Sequence, residues 1–79
     1  MVVEAFVMIK VGGYKVYPQN VYKEKIGKIP GVVETYILLG RYDLLAKIKV
    51  KDLDEAIRII DGEIRNIPGV QSTETFIAY

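Results

Sequence analysis

The chain has 79 residues, 51% of them apolar, and eleven basic against ten acidic side chains give a net charge of +1. That suffices for one domain with its own core, and the interleaved Lys and Glu leave neither a basic stripe for phosphates nor a charged run for an anionic surface. Nucleic acid and membrane are therefore not expected as direct partners. Cysteine and histidine are absent, which removes disulfides, thiol chemistry, the usual zinc ligands and the side chain best suited to proton transfer near neutral pH; no metal, no cofactor and no enzymatic activity is expected.

The first residues, Met1 to Phe6, carry an acid early and no basic stretch followed by a cleavable apolar one, and no apolar run approaches the length of a bilayer span, so a cytoplasmic protein is expected. Val2–Val11 is rich in β-branched and aromatic residues, as in a central strand, and Gly12-Gly13 ends it. Pro18 suits the first turn of a helix in which Val21, Tyr22, Ile26 and Ile29 fall near helical spacing, weakened by Gly27. Ile29-Pro30-Gly31-Val32 stops that helix. Val32–Leu39 and Asp43–Val50 then read as two strands joined by Gly40-Arg41-Tyr42 into an antiparallel hairpin. Asp52 caps a second helix, with Glu55 three residues on completing a capping box. Along it Leu53, Ala56, Ile57, Ile60, Ile64 and Ile67 form one apolar face, while Asp54, Arg58, Asp61 and Arg65 turn to solvent. The turn then repeats as Ile67-Pro68-Gly69-Val70, and Val70–Tyr79 is the last strand.

The repeated turn makes the chain two copies of one unit. The order βαββαβ predicts an α+β, ferredoxin-like sandwich: a four-stranded antiparallel sheet with two helices on one face. Alternation assigns Val3, Ala5, Val7, Ile9 and Val11, with Leu44, Ala46, Ile48 and Val50, to the helix side. Phe6, Met8, Tyr36, Leu38, Leu45 and Phe76 are left on the bare side as an expected interface between copies. Burying a large apolar side chain is worth roughly 1.5–3 kcal/mol, so a partner sheet is the simplest cover; a monomer shielding the face with Tyr and Lys stems is the alternative.

Ile29-Pro30-Gly31-Val32, Gly40-Arg41-Tyr42-Asp43-Leu44-Leu45, Asp52-Leu53-Asp54, Ile67-Pro68-Gly69-Val70 and Ser72-Thr73-Glu74-Thr75 together resemble the effector-binding (RAM) domain of Lrp/AsnC transcriptional regulators, over essentially the whole chain. The resemblance implies a single RAM-like domain over residues 1–79, similar to stand-alone RAM proteins without the helix-turn-helix that reads DNA. It also implies a homodimer able to build larger rings, amino acid binding between subunits, and co-assembly with full-length regulators. The Gly12–Gln19 stretch is longer than the connection usual in that family.

An amino acid presents an ammonium and a carboxylate on one carbon, so its site needs an anionic or acceptor group and several donors. Asp43 can supply the first, Gly40 lets backbone amides approach, and either Arg41, beside Tyr42, or neighbouring N–H groups can meet the carboxylate. Thr73 and Thr75 alternate onto the helix side of the last strand, where hydroxyls in an apolar layer need partners. Each has a plainer reading: a turn glycine, a packing tyrosine, a hairpin-capping aspartate, and threonines chosen for their fit to a strand. The function expected is an amino-acid sensor module that oligomerises, the alternative a purely structural interaction protein. An acylphosphatase-like enzyme lacks its phosphate-cradling arginine loop, since Gly12-Gly13-Tyr14-Lys15 does not fit it. An RNA-binding sheet would need aromatics in a basic surround.

Overall fold

The computed structural model describes residues 2–13 and 17–78; most of the long Gly12–Gln19 connection and the expected end of the last strand at Tyr79 lie outside the described residues. The elements are β1 (Val3–Val11), α1 (Gln19–Gly27), β2 (Val32–Ile37), β3 (Leu44–Val50), α2 (Leu53–Ile59) and β4 (Val70–Ala78). The strands form one antiparallel sheet in the order β2-β3-β1-β4, the ferredoxin-like α+β arrangement read from the sequence.

The two central strands make the floor of the core. Val3, Ala5, Val7 and Ile9 pair with Val50, Ile48, Ala46 and Leu44, and all eight are buried. Tyr22 and Ile26 of α1 and Ala56 and Ile59 of α2 close the layer above. Tyr22 is the largest fully buried side chain; its hydroxyl donates to the Pro68 carbonyl at 2.6 Å and accepts from the Tyr17 N–H at 3.3 Å. The first helix is thus tied to the second Ile-Pro-Gly turn. The first such turn packs reciprocally beneath the second helix, where a Cβ on Gly31 would fall 2.6 Å from Ile59 Cδ1.

Several boundaries differ from the sequence reading, beginning with β1, which starts at Val3 rather than Val2. The first helix ends at Gly27 rather than continuing to Ile29, because Lys28 and Ile29 close it with short-range bonds to Lys25 and Ile26. The connection between β2 and β3 runs from Leu38 to Asp43 instead of the three residues Gly40 to Tyr42, since the Asp43 N–H leaves the hairpin and donates to Ile9 O of β1 at 2.9 Å. The second helix begins as expected, with Asp52 Oδ1 accepting the Glu55 N–H at 2.8 Å. It changes pitch at Ile60, where one wide turn over Ile60–Ile64 closes with Arg65 N–H to Ile60 O at 2.9 Å. The five-residue step lets Ile59, Ile60 and Ile64 all reach the core, and Asn66 Nδ2 satisfies the Gly62 carbonyl at 2.7 Å. The buried set is therefore Ala56, Ile59, Ile60 and Ile64, and the expected face is corrected at Leu53 and Ile57, which stay 40% and 46% exposed. No helix among the described residues is long and apolar enough to cross a membrane.

Candidate functional site

The hairpin residues named from the sequence are brought together at the β2–β3 connection. Gly40 has φ +152°, and a Cβ there would meet nothing within 4 Å, so its backbone faces open space. Arg41 is exposed, its carbonyl accepting from Lys10 Nζ at 3.3 Å. Tyr42 reaches toward β4, where its hydroxyl donates to Glu74 Oε1 at 2.6 Å. Asp43 is half-buried, and its Oδ2 accepts the Val11 N–H at 2.9 Å while its carbonyl accepts Gln19 Nε2 at 3.3 Å. It therefore links the loop to β1 and to the start of α1, and one carboxylate oxygen is already engaged.

Thr73 and Thr75 lie elsewhere. They stand opposite Ile9 and Val7 on the helix side of β4, which is an edge strand. Because α1 covers β2 and β3 while α2 lies over β3 and β1, that side of β4 is left as a groove of about 390 Å³. Leu53, Ala56, Ile57, Ile60 and Ile77 supply its apolar walls, and Asp61 and Arg65 stand at its rim, paired at 3.7 Å and both more than half exposed. Neither threonine hydroxyl has a hydrogen-bond partner among the described residues. The volume falls within the range of small-molecule sites, and apolar walls with a few convergent polar groups are what such sites need. Sequence reasoning missed Leu53, Ile57, Asp61, Arg65 and Ile77 as groove residues. The available signal was an apolar arc on the second helix wider than one strand pair can cover. None of Gly40 to Asp43 lines this groove, so within one chain the two halves of the expected ligand set are separate.

The bare sheet face carries Phe6, Met8, Tyr36, Leu45 and Phe76 in paired positions, with Leu38 continuing the alternation from Tyr36. Phe6 and Phe76 are direct cross-strand partners, and Leu45 stands between Met8 and Tyr36. A charged group not anticipated from the sequence sits among them. Lys47 Nζ lies 3.5 Å from Glu4 Oε2 and 3.4 Å from Glu34 Oε1, above the Phe6 ring at 5.8 Å, and Tyr36 donates to Glu34 Oε2 at 2.5 Å. Glu4, Glu34 and Lys47 alternate onto this face by the same period as the apolar residues, which was the overlooked signal. Among the described residues there is no group of three or more side chains able to hold a metal ion.

These pairs set the pH response. The hydrogen bond to Glu34 raises the Tyr36 hydroxyl, the bond to Glu74 raises that of Tyr42, and the field of Glu4 raises Lys47. The Tyr36 hydrogen bond lowers Glu34. A raised group stabilises the fold fully below its unfolded value and loses that contribution as pH climbs through the folded value; a lowered carboxylate loses its contribution as pH falls through the folded value. With no histidine to titrate, melting temperature is expected to stay level between about pH 6 and about pH 9 and to fall above about pH 10. Tyr42→Phe should blunt the alkaline fall, as followed by circular dichroism melts across that range.

A four-stranded sheet with two helices on one face, an open groove beside an edge strand and a bare apolar sheet face define a small domain of the α+β class. The chain matches the Lrp/AsnC ligand binding domain over residues 4–79 and belongs to that family. It is 36% identical over 75 residues to an uncharacterized HTH-type transcriptional regulator of Pyrococcus abyssi, a match covering 95% of this chain and 50% of the regulator. The chain thus spans about half the length of that curated relative. It is also 38% identical over 73 residues to homocitrate synthase of Sulfurisphaera tokodaii, covering 92% of this chain and 15% of the enzyme. The crystal structure of TTHA0845 from Thermus thermophilus superposes with a TM-score of 0.86 at 34% identity, covering 98% of this chain and 92% of that one.

Proposed function

We propose that this domain is an oligomeric amino-acid sensor, which pairs through its bare sheet face, binds an α-amino acid between copies, and joins full-length Lrp/AsnC regulators to tune their DNA binding. The observation that carries the reading is the α2–β4 groove. Two hydroxyls without partners among the described residues face an apolar trough, with an acid and a base at its rim, in a chain of a ligand-binding family. An aliphatic side chain fits the trough, while Arg65, Asp61 and the threonines offer a donor, an anion and two adaptable hydroxyls to the zwitterion. Ligand seated where copies meet stabilises the assembly that encloses it, by its difference in affinity for assembled and separated states. No reaction is assigned; the matched part is a small fraction of homocitrate synthase, and the likeness does not carry that enzyme's chemistry.

Calorimetric titration with the twenty amino acids, read together with solution mass, tests this. One or a few should bind. The double change Thr73→Val and Thr75→Val should weaken binding roughly tenfold or more, since each lost hydrogen bond is worth about 1 kcal/mol. Silence from all twenty, in heat and in mass, would sink the sensor reading. The purely structural alternative draws support from the engaged Asp43 carboxylate and Tyr42 hydroxyl. Under it, Asp43→Ala lowers stability alone.

A further inference from the structure

We infer that the charged cluster of Glu4, Lys47 and Glu34 selects how the sheet face pairs, admitting a second copy of this chain in one alignment and opposing others at a cost in affinity. The inference rests on the sheet-face pairing proposed above and adds to it the residues that fix partner and register. The face is not uniform. Cross-strand pairing lays Glu34, Lys47, Phe6 and Phe76 in one row, charged toward the β2 edge and aromatic toward the β4 edge. The next row, Tyr36, Leu45 and Met8, is apolar until it ends in Glu74 on β4. An apolar band thus crosses the sheet obliquely, with the cluster beside one flank of it and Glu74 beside the other.

These charges are answered within the chain. Lys47 Nζ sits between Glu4 and Glu34, Tyr36 donates to the other oxygen of Glu34, Lys49 stands opposite Glu4, and Tyr42 donates to Glu74. Two carboxylates against two ammoniums leave that flank with no net charge, so it calls for neither a basic nor an acidic partner. A face balanced in the same way, that of a second copy, meets it without an unmatched charge. The cluster is also poorly placed to add affinity. The Lys47, Glu4 and Glu34 side chains are already only 28%, 34% and 44% exposed, and a second sheet removes the water that remains. Desolvating a charged cluster offsets much of its Coulombic gain, and apolar residues of similar volume bind as well or better; a polar group inside an apolar contact is best explained where it fixes register. A copy shifted from the matching alignment lays its rings over the cluster and strips its hydration with nothing in exchange, which is discrimination by penalty.

The test separates affinity from alignment. The chain has no cysteine, so Lys23→Cys, at an exposed position of α1 away from the sheet face, takes one spin label, and pulsed electron spin resonance reads label-to-label distances across a pair. Sedimentation equilibrium reads the pairing constant of the same labelled chains, and circular dichroism verifies the fold. In the otherwise wild-type chain one narrow distance is expected. Lys47→Met alone strands two carboxylates and should weaken pairing about tenfold or more. The triple change Glu4→Leu, Glu34→Leu and Lys47→Met should pair at least as tightly as wild type, yet with a broadened or split distance distribution. A second triple, Glu4→Gln, Glu34→Gln and Lys47→Gln, keeps the face polar without charge and carries the same distance reading should the apolar one precipitate. A single narrow distance in the uncharged variants, or an apolar triple that pairs more weakly than wild type, would overturn the selecting role while leaving the pairing and the sensor reading intact. A wild-type chain that stays monomeric would overturn it together with the sheet-face pairing, and loss of amino acid binding alone would leave it standing.

Discussion

Gly31→Ala is expected to cost roughly 2–5 kcal/mol and to lower the melting temperature by about 10 °C or more. Gly31 has φ +100°, where any side chain strains the backbone. Its Cβ would also fall 2.6 Å from Ile59 Cδ1 and 3.2 Å from Val50 Cγ1. Ile59 is fully buried, so its terminal methyl can give way only into a packed core. A domain of this size has a net stability of about 5–15 kcal/mol, so one methyl group removes a large share of it. Gly40→Ala is the control: its φ of +152° carries a backbone cost, but no atom lies within 4 Å of the new methyl. The difference between the two melts isolates the collision with Ile59. Equal, small losses at both positions would show that the first Ile-Pro-Gly turn is not packed under the second helix as described.

What could be read from the sequence follows from where physical period and local chemistry agree. Alternation in the two central strands assigned Val3, Ala5, Val7 and Ile9 and their partners correctly, because a central strand has one helix-covered face and no freedom to slip. Asp52 announced its helix because an N-cap is chosen by three or four adjacent residues. The wide turn at Ile60 was not legible. Ile59, Ile60 and Ile64 fit several helical registers equally, and the choice is made by core space that only the folded chain defines. The length of the hairpin loop escaped for a similar reason, since Asp43 leaves β3 for a bond to Ile9, a residue 34 positions earlier. The candidate site was half legible. Thr73 and Thr75 were placed on the correct side of β4, but the groove they line depends on the second helix sitting over β3 and β1, an offset that no local pattern encodes.

Phe76→Asp is expected to dissociate sheet-face pairs by roughly a hundredfold or more while leaving the chain folded. Phe76 is 53% exposed and lies beside Phe6 on the face that no helix covers, so its ring is outside the core that holds the domain together. Each two-fold pair would bury two copies of the ring, and removing both forfeits about 3 kcal/mol before the cost of facing a carboxylate into an apolar layer. The nearby charges set the direction of the effect. Lys47 is already shared between Glu4 and Glu34, so a new aspartate adjacent to Phe6 adds negative charge beside an ammonium that two carboxylates already hold. Sedimentation equilibrium should show the wild-type chain paired and the variant largely monomeric at micromolar concentration, with superposable circular dichroism spectra. A variant that keeps the wild-type mass would mean that Lys47 and the tyrosines shield this face within a single chain, and that association, if any, uses another surface.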